Sequence, residues 1–177
     1  MTMSRGTLDG DPHRAGPALP PGGQRRRLTL AGLPKPVAHA RTFTLRALDD
    51  WYAPALVPAR TPDALALDAL VPDARQGVAA DVAADIVLLV AELVANAMLH
   101  GDGPLELVLD TAGERLRVEV SDRSPEMPAP RLPHEPALPG GHGLVIVRRI
   151  ADRWGAQPHS QGKTIWAEFD VRRPGLG

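Results

Sequence analysis

Residues 86–99 constrain this chain more than any other stretch. These fourteen residues carry only two polar side chains, Glu92 and Asn96. At about 100° per residue, apolar groups then cover most of a helix circumference. The stretch therefore predicts a helix buried in a core. Asp81 suits its N-cap, the helix runs to about His100, and Gly101 and Gly103-Pro104 stop it. The stretch is too short to cross a membrane, and no run reaches the roughly 18 apolar residues of a span. A carboxylate on a buried helix is costly unless paired or put to use. Glu92, Asn96 and His100 fall at i, i+4 and i+8 and so lie in one narrow row. The row fits a phosphate–metal site, with the Asn96 oxygen a hard ligand for Mg²⁺. It equally fits a satisfied structural network. For His100 taken alone, a polar cap at the helix C-terminus is the better account.

The elements around this helix follow from periodicity. Residues 1–24 hold Gly6, Gly10, Pro12, Gly16, Pro17, Pro20 and Pro21 with few large aliphatics, which predicts a disordered tail. Arg25-Arg26-Arg27 then reads as a solvated basic edge before a short strand, and the tail is drawn to residue 27. A twin-arginine export signal is disfavoured, because Pro34-Lys35-Pro36 breaks the short apolar run that follows. Pro36 opens a helix that ends near Ala53-Pro54. Residues 57–77, with Pro58, Pro62 and Pro72, form an insertion or long connector, and Thr61-Pro62-Asp63 caps a short helix within it. Alternating runs over residues 105–110 and 115–120, separated by Thr111-Ala112-Gly113, predict an antiparallel hairpin. Five prolines between residues 125 and 136 mark a loop. Residues 143–154 read as a helix, and residues 163–171 as a last strand. Helices mixed with antiparallel strands predict an α+β fold, a two-layer sandwich whose mixed, mostly antiparallel sheet is covered by helices on one face.

Composition removes several function classes. Lys+Arg 20 against Asp+Glu 21 gives a net charge of −1, which excludes a globally basic nucleic-acid binder. With no cysteine there are no disulfides and no thiolate-ligated metal. Two further motifs carry chemistry. Ser121-Asp122-Arg123-Ser124-Pro125 sits at a strand end, where Asp122 is either a turn former or an acceptor for an exocyclic amine such as that of adenine. Gly140-Gly141-His142-Gly143-Leu144 opens a helix, where glycines and the helix N-terminus suit phosphate oxygens, or simply make a hinge.

Taken together, Glu92-Leu93-Val94-Ala95-Asn96-Ala97-Met98-Leu99-His100, Val120-Ser121-Asp122-Arg123-Ser124-Pro125, Gly141-His142-Gly143-Leu144 and Gly162-Lys163-Thr164-Ile165-Trp166 resemble the ATP-binding domain of gyrase-type ATPases, histidine kinases and anti-sigma-factor serine kinases. The resemblance covers about residues 28–171 and is closest to the short bacterial anti-sigma regulatory group. It implies a Bergerat-type fold over residues 28–173, an ATP lid at 126–140 and a tail at 174–177. It also implies roles for single residues. Glu92 would be the general base and Asn96 the Mg²⁺ ligand. Asp122 would read the adenine amine, with the Thr164 hydroxyl acting beside it through water. Gly141 and Gly143 would hinge the lid, with Leu144 beginning the next helix. Ser124-Pro125 replaces the glycine many members carry there, as the anti-sigma group often does. The 57–77 segment is longer than the group leads one to expect. No phosphoacceptor-histidine helix is seen, which argues against a complete sensor histidine kinase.

The implied activity is transfer of the γ-phosphoryl group of ATP, with Mg²⁺, to a Ser or Thr of an anti-sigma-factor antagonist. Partner switching with a sigma factor would then regulate transcription in the cytoplasm. The resemblance also allows a homodimer, and it implies no direct nucleic-acid or membrane partner. The rival reading is a non-catalytic, nucleotide-dependent protein-binding module.

Overall fold

The computed structural model describes residues 23–52, 80–128 and 143–172. In chain order these form β1 (Gln24–Thr29), α1 (Pro36–Tyr52), α2 (Ala80–His100), β2 (Pro104–Ala112), β3 (Arg115–Asp122), α3 (Gly143–Ile150), β4 (Arg153–His159) and β5 (Gly162–Asp170). The strands make one sheet in the order β1-β2-β3-β5-β4. Every pairing is antiparallel. The α+β sandwich expected from the sequence is thus present, with a fully antiparallel sheet among the described residues. Helix α2 packs against α1 and α3 and over β3, so the helices layer on one sheet face.

The core lies between α2 and the inward residues of the sheet. Val82, Ile86, Leu89, Val90, Leu93 and Val94 of α2 are buried. They meet Leu107, Leu109, Leu116, Val118 and Phe169 from the strands in one cluster. Each such large side chain contributes about 1.5–3 kcal/mol by leaving water. The 21-residue α2 has the bounds expected to within a residue, but the whole helix, unlike the 86–99 stretch taken alone, is long and apolar enough to cross a membrane by length and composition. Here it is the central helix of the core, with an exposed stripe at Leu88, Met98 and Leu99. It begins one residue before Asp81, whose carboxylate accepts the Val82 N–H at 3.0 Å.

Three expectations need correction. The arginine run is part of β1, which begins at Gln24, so the domain starts before residue 28. These arginines are paired: Arg25 with Asp110, Arg26 with Asp50, and Arg27 with Glu106. Arg26 also lies 5.2 Å from the centroid of the Trp51 ring. They are cross-strand and strand–helix contacts, and the basic edge is neutralised. The helix expected to reach Trp154 ends at Ile150, and residues 153–159 form the edge strand β4. Pro158 is tolerated there because an edge strand has a side that needs no ladder hydrogen bond. The tail before residue 23, the 57–77 segment with its short helix, most of the lid and residues 173–177 lie outside the described residues.

The outer sheet face carries a row of alternating charge. Cross-strand register aligns Arg25, Asp110, Arg117, Glu168 and Arg153 over all five strands. Arg117 donates to Glu168 at 2.8 Å and to Glu119 at 2.6 Å, and its guanidinium stacks 4.3 Å from the Trp166 ring centroid. Both Arg117 and Glu168 are buried.

Candidate nucleotide site

The site is built where three chain ends meet: the C-terminus of α2, the end of β3 and the start of β5. Helix α2 stops because the Ala97 carbonyl accepts the N–H groups of both Gly101 and Gly103, each at 3.1 Å, while Asp102 takes φ 53°. The chain then turns onto β3. The Gly101 carbonyl accepts the Arg123 N–H at 2.8 Å and the Ser124 N–H at 3.0 Å. A Cβ on Gly101 would lie 2.6 Å from Asp122 Cγ and 2.6 Å from the Ala97 oxygen, so only glycine lets the helix end sit on this carboxylate. Gly162 meets the same strand from the other side. With φ +147° it lies so close to the Asp122 and Arg123 backbone that a Cβ would collide.

Asp122 is buried, at 2% exposure. Its Oδ1 accepts the Ser124 N–H at 3.0 Å and a Lys163 Nζ–H at 3.0 Å, and Lys163 Nζ also donates to the Ser124 carbonyl at 3.2 Å. Burial pushes the Asp122 carboxyl above its ordinary value. The Lys163 hydrogen bond and charge, the Ser124 N–H and the His159 charge act in the opposite sense without cancelling it. Both hydrogen bonds fall on Oδ1. Among the described residues Oδ2 has none and is left as an acceptor.

The other expected residues fall as follows. Glu92 and Asn96 are both half-buried on α2, and His100 is exposed at its end. No hydrogen bond or ion pair joins Glu92 or Asn96 to another described residue. At 1.5 Å per residue, Glu92 and Asn96 precede Gly101 by about 13.5 and about 7.5 Å along the axis. The row therefore leads from the acid and amide to the helix end that rests on Asp122. Gly143 opens α3, with Leu144 in its first turn, and Gly141 lies outside the described residues. Thr164 is not brought to Asp122. Its hydroxyl is 2.8 Å from Ser121 Oγ, and the register pairs Ser121 with Thr164 and Asp122 with Lys163. Successive strand residues face opposite sides of a sheet. Thr164 is therefore on the outer face, and Lys163 occupies the place the sequence reading gave to the threonine. Lys163 was missed, although its phase was readable: it precedes Ile165, Ala167 and Phe169 in the inward series of β5.

The residues present fit a nucleotide. A buried carboxylate keeps one oxygen free, two glycines open a close approach of backbone around it, and a carboxylate and an amide follow along α2. Among the described residues no three His, Cys, Asp or Glu side chains gather to hold a metal. Asn96 supplies one hard oxygen, a donor set suited to a Mg²⁺ that keeps water and phosphate ligands.

The model of the histidine kinase-like ATPase domain matches residues 55–169, the greater part of the chain. No curated protein matches it. The chain belongs to the histidine kinase-like ATPase domain family, and with that membership it is an ATP-binding regulatory protein.

Proposed function

We propose that this histidine kinase-like ATPase domain is a serine/threonine kinase of the anti-sigma type, which phosphorylates an anti-sigma-factor antagonist and exchanges that partner for a sigma factor. The observation that carries the proposal is the Glu92–Asn96 row, half-buried on a core helix that ends on the buried Asp122. In this reading Asp122 Oδ2 accepts the adenine amine and fixes the base. Asn96 offers its amide oxygen on the phosphate side, where a bound Mg²⁺ would supply charge neutralisation. Glu92 accepts the proton of the Ser or Thr hydroxyl. That oxygen bonds to the γ-phosphorus as the bond from phosphorus to the β–γ bridging oxygen breaks, and ADP leaves. Such transfer rests on positioning and charge stabilisation. The resemblance of the four motifs to the anti-sigma group supports the choice of substrate.

Glu92→Gln keeps the shape and the hydrogen-bonding capacity of the side chain and loses proton acceptance. Transfer of labelled γ-phosphate to an antagonist should fall by roughly 10²–10⁴-fold. ATP affinity and melting temperature should stay near wild type. A folded, ATP-binding Glu92→Gln protein that transfers at the wild-type rate removes Glu92 from the chemistry. Tight ATP binding by the wild type with no transfer to any antagonist favours a non-catalytic binding module.

A further inference from the structure

Lys163 is a buried ammonium that the general features of a nucleotide site do not explain. The chain has two lysines, and Lys35 is the exposed one. The Lys163 side chain is 6% exposed and that of Asp122 3%, with Nζ 3.0 Å from Oδ1. Burying an ammonium is costly unless it is paired and hydrogen-bonded. Here it donates to Oδ1 and to the Ser124 carbonyl, so it bridges the carboxylate to the backbone of the turn that follows. Together with the Ser124 N–H it occupies Oδ1 and fixes the plane of the carboxylate.

We propose that Lys163 is a positioning residue for base recognition: by holding Asp122 Oδ1 it presents Oδ2 as the one free acceptor for the exocyclic amine of adenine. The proposal rests on the reading of Asp122 as the residue that takes that amine. The pairing has a second effect. With Oδ1 taken by two donors, a proton on the carboxyl would sit on Oδ2 and turn it into a donor, and burial favours that protonated form. The charged and titratable groups that oppose burial are Lys163 from β5 and His159 from the edge strand β4. Among the described residues no charged group of helix α2 acts on the carboxyl, which meets the Gly101 turn just past the helix end. Without the ammonium, the carboxyl stays protonated to higher pH.

The test compares ATP with purine riboside triphosphate, which lacks the amine, by calorimetry on the full chain from mildly acidic to mildly alkaline pH. Wild type should prefer ATP by roughly ten- to a hundred-fold, the worth of a hydrogen bond to a charged group. Lys163→Gln should lose most of the preference at acidic pH and regain part of it as pH rises. Lys163→Met should lose it over a wider range. Affinity for the analogue should change little in either variant. Asp122→Asn should abolish the preference at every pH. If Asp122→Asn abolishes it while both Lys163 variants keep it in full, the lysine is only structural and the proposal fails. If Asp122→Asn keeps it, the underlying reading of Asp122 fails instead. A measurement on the wild type decides the matter if the variants do not fold. With ¹⁵N-labelled lysine the chain gives two ammonium signals, and the protected one is Lys163. ATP should shift it more than the analogue does. Equal shifts with both nucleotides overturn the proposal.

Discussion

Gly101→Ala tests whether the end of α2 must rest directly on Asp122. The added Cβ would stand 2.6 Å from Asp122 Cγ and 2.6 Å from the Ala97 carbonyl oxygen, where ordinary contact begins at 3.4 Å. One side must therefore retreat by about 0.8 Å. Neither neighbour is the far end of a flexible chain: one is helix backbone, and the other is a carboxylate held at Oδ1 by two hydrogen bonds. Overpacking of this kind costs about 1–3 kcal/mol. An opposing gain of roughly 0.4–1 kcal/mol comes from the less flexible unfolded chain, and it applies here because Gly101 does not sit at positive φ. The clash is the larger effect. At about 2–4 °C per kcal/mol for a chain of this length, the melting temperature should fall by several degrees. ATP affinity should fall as well, because the retreat moves the carboxylate proposed to read the base relative to Asn96. Differential scanning calorimetry and ATP titration on one preparation measure both quantities. An unchanged melting temperature with unchanged affinity would show that the approach of α2 to Asp122 is slack, and the account of the site as a fixed three-way junction would fall with it.

Asn96→Ala should remove most of the Mg²⁺ dependence of ATP binding while His100→Ala leaves it, which titration at several Mg²⁺ concentrations decides; equal losses would extend the metal site to His100. Glu168→Gln takes one carboxylate from the buried Arg117, which keeps Glu119, so the cost should lie near the lower end of the range for breaking a buried pair, about 3 kcal/mol. A denaturation midpoint equal to wild type would mean the row does not hold the sheet. Tyr52 is the single tyrosine of the chain, and burial pushes its phenol above the ordinary value against the hydrogen bond with Thr111. Absorbance titration should therefore give a folded-state midpoint above that in denaturant. A phenol whose folded value is raised binds its proton more tightly in the folded state, so its contribution to stability is lost as pH rises from the unfolded value through the folded one. Tyr52→Phe should flatten that alkaline loss, and a midpoint equal in both states contradicts the burial argument.

Much of this architecture was legible because its patterns are local. The apolar run of α2 announced a core helix. The alternation on either side of Thr111-Ala112-Gly113 announced the hairpin β2–β3. What failed was non-local. In β4, residues 153–159 include Gly155 and Pro158 and lack a clean alternation, and the helical spacing of Leu144, Val147, Ile150 and Ala151 carried the helix too far. Gly155 is where it is because the Trp166 ring on β5 lies against it, with a Cβ 2.7 Å from Cζ2 if one were added. That contact joins strands through the sheet register and leaves no mark at helical spacing. The site divides in the same way. Glu92 and Asn96 stood out as polar residues on an apolar helix, and Asp122 by its motif at a strand end. The exchange of Thr164 for Lys163 depended on a pairing 41 residues apart. A one-residue change of register reverses which face a strand residue occupies, so the inward phase of Lys163, readable within β5, did not by itself say that it would meet Asp122.

The charged row on the outer sheet face also bears on how partners arrive there. Three arginines and two acids alternate from Arg25 to Arg153, so the opposite signs lie within one strand spacing of each other. The potential of such an arrangement fades over a short distance, well inside the roughly 8 Å screening length at physiological salt. Among the described residues this row, with a net charge of only +1, casts little long-range field to guide an approaching molecule. An encounter at this face should run at the unsteered rate of roughly 10⁵–10⁷ M⁻¹s⁻¹ and respond weakly to ionic strength. Selection there falls to shape and to contact at close range.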